Sequence, residues 1–155
     1  MRHLFITCLL FSCLLGTVSR DAASAAEDET LDVIVHSTSP VVRLAAAEVE
    51  ALFTRTQTRW SDGSPVVPLS FPTGTPIRDR FDRAVLRVDA NEVGRFWLDR
   101  RIRGLGAPPK QVLNATLMLK VVQNLPGSIG YVPLLRNRAG VKVVARIVQG
   151  RVTPP

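Results

Sequence analysis

Residues 66–85 have the sequence VVPLSFPTGTPIRDRFDRAV, which predicts a strand, a turn and the start of a helix in immediate succession. The apolar run 66–71 is typical of a strand, although Pro68 has no amide to donate and therefore indicates a sheet edge or a bulge. Thr75 offers a hydroxyl at the N-cap position, and Pro76 suits the first position of the helix that follows. The apolar residues of that helix fall in one stripe: Ile77, Phe81, Ala84 and Val85. A strand that runs directly into a helix is typical of α/β folds.

The same alternation continues on both sides of this stretch. Short apolar runs rich in β-branched residues predict further strands at 31–36, 129–133 and 141–148. The spacing of apolar residues predicts further helices at about 44–55, 90–102 and 115–124, with Asp89 and Asn114 as the N-caps of the last two. In the last helix, Leu117, Val121 and Val122 are expected to face inward. The predicted fold is α/β, with a mixed sheet of about four to five strands flanked by about four helices.

The first residues have the pattern of a secretory signal peptide. A short basic head precedes an apolar run over 4–15, which is too short to cross roughly 30 Å of hydrocarbon as a stable anchor. Ala23-Ser24-Ala25 suits a cleavage site, so we predict a signal peptide over 1–25, a domain over 26–150 and a flexible tail over 151–155. The mature protein would be periplasmic or secreted, with no stable membrane insertion. Lipidation at Cys13 and a retained N-terminal anchor are the alternatives.

The composition excludes several classes of protein. The 155 residues are 46% hydrophobic and 21% charged, which is ordinary for a globular domain and unlike a collagen-like or wholly disordered chain. Both cysteines lie in the predicted signal peptide, so the mature chain would contain no thiol nucleophile and no disulfide. His36, its single histidine, would lie about 13 Å along a strand from Asp32, too far for an orienting hydrogen bond. We therefore predict a protein that is not an enzyme, with no metal site and no cofactor.

The charge is unevenly distributed along the chain. The formal net charge is +7, the last acidic residue is Asp99, and ten Lys or Arg residues follow it over 100–151. A basic half suggests an anionic partner or an attraction to a negatively charged surface, and a merely solvated basic surface is the simpler explanation. Because the protein is predicted to be exported, we expect no nucleic-acid partner.

Gly74, Thr75 and Arg78 are the candidate residues for binding an oxyanion. The first turn of a helix has unpaired amides and a partial positive charge, which together favour anions. Thr75 would add a hydroxyl, Gly74 would leave room for the ligand, and Arg78 would supply a charged fork. The alternative is that Thr75 only caps its own helix and that Arg78 faces solvent.

Three motifs together resemble a known family. They are WSDG at 60–63, GTPIRDRF at 74–81 and LPGSIGYV at 125–132. In order and spacing they resemble the second lobe of phosphate ABC-transporter substrate-binding proteins, which have the type 2 periplasmic binding-protein fold, and they are most similar to short, exported, single-lobe relatives. The resemblance covers about 31–148. It implies a single lobe and an exported solute-binding-like protein that binds phosphate or a similar oxyanion in phosphate uptake or sensing.

The chain also departs from that family. The resemblance places Phe71 and Thr73 where the phosphate binders have Arg and Asp, and Thr75-Pro76-Ile77 where they have Ser-Gly-Thr. A single lobe also lacks the second wall that encloses the ligand, so a second copy or an envelope protein would have to close the cleft. The alternative function is a periplasmic protein-interaction module that has lost ligand binding.

Two of the motifs have purely structural explanations as well. Trp60 is expected either to pack against the helix that ends near residue 55 or to provide a stacking platform for a ligand. Gly127 and Gly130 allow a positive φ or a close approach of the backbone, as in a tight turn leading into a buried strand.

Overall fold

A computed structural model of the protein describes residues 30–155. The predicted signal peptide, its cleavage site and the alternative lipidation at Cys13 lie outside these residues. No helix within 30–155 has both the length and the apolar character needed to span a membrane.

The described chain alternates strands and helices, as predicted. The strands are β1 (Leu31–His36), β2 (Val67–Ser70), β3 (Lys110–Gln111), β4 (Ser128–Pro133), β5 (Val141–Val148) and β6 (Arg151–Thr153). The helices are α1 (Ala46–Phe53), α2 (Pro76–Phe81), α3 (Ala90–Ile102) and α4 (Ala115–Asn124), and α2 continues as a π-helical segment over Asp82–Leu86. The predicted α/β class and the helix count are thus confirmed, and the sheet has six strands where about four to five were expected.

All six strands form one mixed sheet in the order β3-β2-β4-β1-β5-β6. β2 is parallel to both β3 and β4, whereas β1 is antiparallel to β4 and β5, and β5 is antiparallel to β6. Pro68 pairs with Ile129 of β4, while β3 pairs with β2 only at Leu69 and Ser70. At Pro68 the strand therefore has a neighbour on one side only, which explains how a residue without an amide is tolerated inside the sheet.

The tail predicted to be flexible over 151–155 is a strand over its first three residues, so that part of the prediction is wrong. β6 pairs with β5 through Val148–Arg151 and two further residue pairs. The connection consists of Gln149 with φ 49° and Gly150 with φ 73°. Two successive residues with positive φ make the tight turn that matches the twist of a β-hairpin. Gln149 gives no sequence signal for that conformation, and the hairpin was therefore missed.

Val122 of α4 faces inward as predicted, but Met118 packs on the sheet in place of Leu117. Met118 and Val122 are fully buried, whereas Leu117 is 40% exposed and Val121 is only partly buried. A Cβ on Gly130 would lie 2.6 Å from the sulfur of Met118, so this glycine of β4 makes room for the helix. Because 117–119 and 121–122 are all apolar, periodicity alone did not distinguish the two orientations of the helix.

Gly94→Ala is expected to raise the free energy of unfolding by about 0.5–1 kcal/mol. Gly94 lies inside α3, is exposed, and an added Cβ would meet no atom within 4 Å, so only the low helix propensity of glycine is removed. Urea denaturation measures the change. Gly150→Ala is the matched control, because its site is equally open but has φ +73°, and it should lower stability instead. A loss of stability in Gly94→Ala would contradict the absence of atoms within 4 Å of the added Cβ.

Candidate anion-binding site

The predicted site lies at the carboxyl edge of the parallel strands. The connection from β2 leads to β3, its neighbour on one side in the sheet. The connection from β3 then passes over β2 to β4, the neighbour of β2 on the other side. The two helical connections therefore run in opposite directions across the sheet. Right-handed crossovers in opposite directions lie on opposite faces of a sheet. The carboxyl ends of β2 and β3 therefore flank the kind of crevice in which open α/β sheets bind ligands. The corner at 71–77 forms one side of it.

Gly74 and Thr75 lie at the surface of this corner. Gly74 has φ +82°, is exposed, and has no atom within 4 Å of an added Cβ. Thr75 is the N-cap of α2, but its hydroxyl donates to the carbonyl of Pro72 at 2.8 Å and makes no capping hydrogen bond. Pro76 has no amide. The first-turn amides of Ile77 and Arg78 are consequently left without a side-chain cap and can donate to another acceptor.

Arg78 is buried beneath the corner, with an exposed fraction of 5%, and does not face solvent. Its Nε donates to Asp82 Oδ2 at 2.7 Å. Its Nη1 donates to Ser70 Oγ and, at 3.4 Å, to the carbonyl of Phe71. The guanidinium predicted to hold a ligand is thus bound to Asp82 and to the carboxyl end of β2.

A polar and aromatic layer fills the space below Arg78. The hydroxyl of Tyr131 lies 2.8 Å from Ser70 Oγ, and burial raises the pKa of Tyr131 to about 12. Phe81 stacks on the Tyr131 ring with a centroid separation of 3.8 Å. Burial also raises the pKa of Asp82, although Arg78 opposes the shift. Since this layer is filled by the protein itself, an anion has access only to the outer face of the corner.

Ser70, Asp82 and Tyr131 were not predicted as part of this region. The spacing of four residues between Arg78 and Asp82 was a signal for an ion pair on one helix face. Ser70 and Tyr131 belong to separate apolar strands, and nothing in the local pattern of either strand indicates the other.

The other two motifs meet at the opposite end of the parallel strands. Trp60 is buried, and its Nε1 donates to the carbonyl of Gly127 at 3.0 Å. A Cβ on Gly127 would lie 2.7 Å from the carbonyl oxygen of Pro65. Gly127 precedes the amino end of β4, whereas the corner follows the carboxyl end of β2, which is parallel to β4. Trp60 is therefore packed in the interior and is not part of the corner.

Asp32 and His36 have separate partners. Asp32 accepts hydrogen bonds from Arg146 at 2.7 Å and from the amide of Leu135 at 2.9 Å. His36 Nδ1 lies 2.7 Å from Thr38 Oγ1 and accepts from the amide of that residue. Within residues 30–155, no three His, Cys, Asp or Glu side chains come together as a metal-binding group.

Comparison with known proteins finds likeness only among solved structures, since no family model and no curated protein matches the chain. One is a Clostridium perfringens protein described as a phosphate ABC transporter substrate-binding protein with bound phosphate. It is 21% identical to this chain with a TM-score of 0.57, and the matched region covers 74% of this chain and 43% of that one. An ABC-type phosphate transport receptor from Vibrio cholerae has 15% identity and a TM-score of 0.58, over 74% and 44%. A protein from Planctomyces limnophilus described as phosphate-binding has 15% identity and a TM-score of 0.56, over 83% and 49%.

At these identities the likeness is one of fold. The chain spans less than half the length of each of the three proteins. The resemblance that the three sequence motifs indicated is therefore confirmed at this level: the chain is a short relative in fold of the phosphate ABC-transporter substrate-binding proteins.

Proposed function

We propose that the protein is an exported solute-binding-like protein that binds phosphate or a similar small oxyanion at the outer face of the corner 71–77. The main support is the position of uncapped first-turn amides at the carboxyl edge of the sheet, in a fold shared with proteins described as phosphate-binding. A role in phosphate uptake or sensing belongs to the same proposal.

The chemistry at the corner is that of a few donors around an open surface. The amides of Ile77 and Arg78 donate to the anion, and exposed Gly74 leaves its approach free. The hydroxyl of Thr75 joins them when it turns away from the Pro72 carbonyl. The charge of Arg78 is compensated by Asp82, so it adds little net attraction.

The affinity of a single copy is expected to be low. Charge interactions at an exposed site contribute about 1 kcal/mol or less each, whereas micromolar binding requires about 8 kcal/mol. We therefore expect dissociation constants in the millimolar range for the protein alone. A second wall, from another copy or from an envelope protein, would exclude water and tighten the complex.

Titration with inorganic phosphate followed by amide NMR tests this function. We expect saturable shifts of the Ile77 and Arg78 amides at millimolar phosphate, because these groups donate to the anion. Thr75→Val should weaken the binding about threefold or more, by loss of one hydrogen bond. Thr58→Val, at an exposed position outside the corner, is the control and should leave it unchanged. An absence of shifts at 74–78 at millimolar phosphate would exclude ligand capture as the role of the corner.

A protein-interaction module without a ligand is the second candidate. It is favoured by the internal pairing of Arg78 and by the missing amide at Pro76. It predicts no response to phosphate, together with an envelope protein that crosslinks specifically to this chain in cells. Phosphate binding with no such crosslink would argue against it.

A further inference from the structure

A groove lies between α1 and α3 at the surface of the protein. Its larger part has a volume of about 400 Å³, and Thr56 and Phe96 form two of its walls. The other lining residues belong to the end of α1 and share one face of that helix, because they are spaced by three and four positions: Ala47, Glu50, Ala51 and Thr54.

The groove continues into an apolar recess of about 130 Å³. Glu50, Thr54 and Phe96 line both parts, so the two volumes adjoin. Clefts of roughly 300–1,000 Å³ that combine apolar walls with a few polar groups are typical of small-molecule sites. The groove and the recess together have this size and character, which we refer to as the α1–α3 groove. The remaining walls of the recess are Leu86, Val88 and Val93.

The polar side chains of the α1–α3 groove offer acceptors and no free donor. Glu50 is the single charged residue that lines it, and its carboxylate has no ion-pair partner within residues 30–155. The hydroxyl of Thr54 donates to the carbonyl of Glu50 at 2.8 Å, and the hydroxyl of Thr56 donates to the carbonyl of Ala51 at 3.2 Å. Because both hydroxyl hydrogens are already used within the protein, these oxygens can only accept from a ligand.

The surroundings of the groove also favour a positive group. The C-terminal end of α1 lies along it, and the last turn of this helix carries no basic side chain, so the partial negative charge of the helix end is uncompensated there. Arg100 stacks 5.5 Å from the centroid of the Phe96 ring, but it donates to the carbonyls of Arg55 and Leu105 and does not line the groove. Positive charges more than about 8 Å away are largely screened at physiological ionic strength, so the net charge of +7 does not cancel this local preference.

We propose that the α1–α3 groove binds a small primary amine, with the ammonium group at Glu50 and Thr54 and the alkyl chain in the apolar recess. An ammonium group has three N–H donors and no acceptor, which complements a carboxylate, two accepting hydroxyls and a helix C-terminus. Burial of the alkyl chain adds to the binding. An anion would find no side-chain donor in the groove. The site shares no residue with the corner at 71–77 and does not depend on anion binding there.

Titration with n-butylammonium chloride at constant ionic strength tests the proposal, with the NMR shifts of the Val88 and Val93 methyl groups as the readout. We expect saturable shifts with a dissociation constant in the millimolar range, because so small a ligand makes few contacts. n-Butanol lacks the charge and butyltrimethylammonium lacks the N–H donors, so each should bind about threefold more weakly or worse. Butyrate should not bind.

Glu50→Gln should raise the dissociation constant of n-butylammonium about fivefold, because it removes the charge and keeps the shape. Glu48→Gln is the matched control and should have no effect: Glu48 lies on α1 outside the groove, and a glutamine can keep its capping hydrogen bond to the Ala45 amide. Ala51→Leu should abolish binding by filling part of the groove. Circular dichroism verifies the fold of each variant, and all three sites are exposed or half-buried.

An absence of saturable shifts at tens of millimolar n-butylammonium would overturn the proposal. Equally strong binding of n-butanol would overturn the recognition of the ammonium group, as would equal losses of affinity in Glu50→Gln and Glu48→Gln. A lysine of another protein joined to Glu50 by a carbodiimide crosslink, on a chain that does not respond to the free amine, would replace the small amine as the occupant.

Discussion

Arg78→Leu is expected to lower the free energy of unfolding by about 3–5 kcal/mol at neutral pH, because it leaves the carboxylate of Asp82 buried without its cation. Both side chains are almost fully buried, at 6% and 2% exposure, and their Nε–Oδ2 distance is 2.7 Å. The variant also removes the hydrogen bonds of Arg78 to Ser70 and to the Phe71 carbonyl. Urea denaturation at pH 7 measures the loss.

The pH dependence of this variant provides a second measurement. Burial already raises the pKa of Asp82 in the natural protein, and Arg78 is the main group that opposes this shift. Without Arg78 the pKa of Asp82 rises further above its value of 3.8 in the unfolded chain. Between these two values the folded state binds more protons than the unfolded state, so stability increases as the pH falls through the folded pKa. The deficit of Arg78→Leu should therefore shrink on acidification from pH 7.

The double variant Arg78→Leu/Asp82→Leu is the control for lost packing. Replacing both members of a buried pair by apolar side chains is often neutral, whereas removing one member is costly. We expect the double variant to recover most of the stability that Arg78→Leu loses. Because it has no carboxyl at position 82, it should not show the gain in stability on acidification that we expect for Arg78→Leu. A loss below about 1 kcal/mol for Arg78→Leu, in the range of an exposed pair, would show that Arg78 is free to serve another partner.

The elements predicted from sequence were those whose ends carry strong local signals. β1 and β5 agree with the predicted ranges, and α4 begins directly after Asn114, whose side chain accepts from the amide of Leu117. β3 has two exposed residues, too few to show an alternating pattern. Such a strand exists because β2 offers it an edge, which is a property of the folded sheet.

The candidate site was predictable only at its surface. The turn before Pro76 and the exposure of Gly74 follow from local sequence. The inward direction of the Arg78 side chain does not follow from local sequence, because a spacing of four residues from Asp82 suits an exposed helical pair as well as a buried one. The buried Arg78 contacts Ser70, whose hydroxyl in turn contacts Tyr131, 61 positions away in the sequence. Long-range packing of this kind has no signature in a window of the sequence.

Gly127→Ala is expected to lower the free energy of unfolding by about 3 kcal/mol, for two separable reasons. Its φ of +82° costs an L-residue about 1 kcal/mol. The added Cβ would also lie 2.7 Å from the carbonyl oxygen of Pro65, a backbone atom that can yield only if the chain moves. That movement weakens the hydrogen bonds that the Gly127 carbonyl accepts from Trp60 Nε1 and from the amide of Val67, at about 1 kcal/mol each.

Gly63→Ala is a matched control for this prediction, because Gly63 has φ +83° and no atom within 4 Å of an added Cβ. It should lose only the conformational contribution of about 1 kcal/mol. Thermal or urea unfolding of the two variants, with tryptophan fluorescence as the probe, gives the difference of about 2 kcal/mol that belongs to the close approach. Equal losses would mean that the contact with Pro65 relaxes freely. A larger loss at Gly127 would mean that packing alone explains why the WSDG and LPGSIGYV motifs occur together. WSDG supplies the indole donor, and LPGSIGYV supplies glycine, the only residue type that fits beneath the indole.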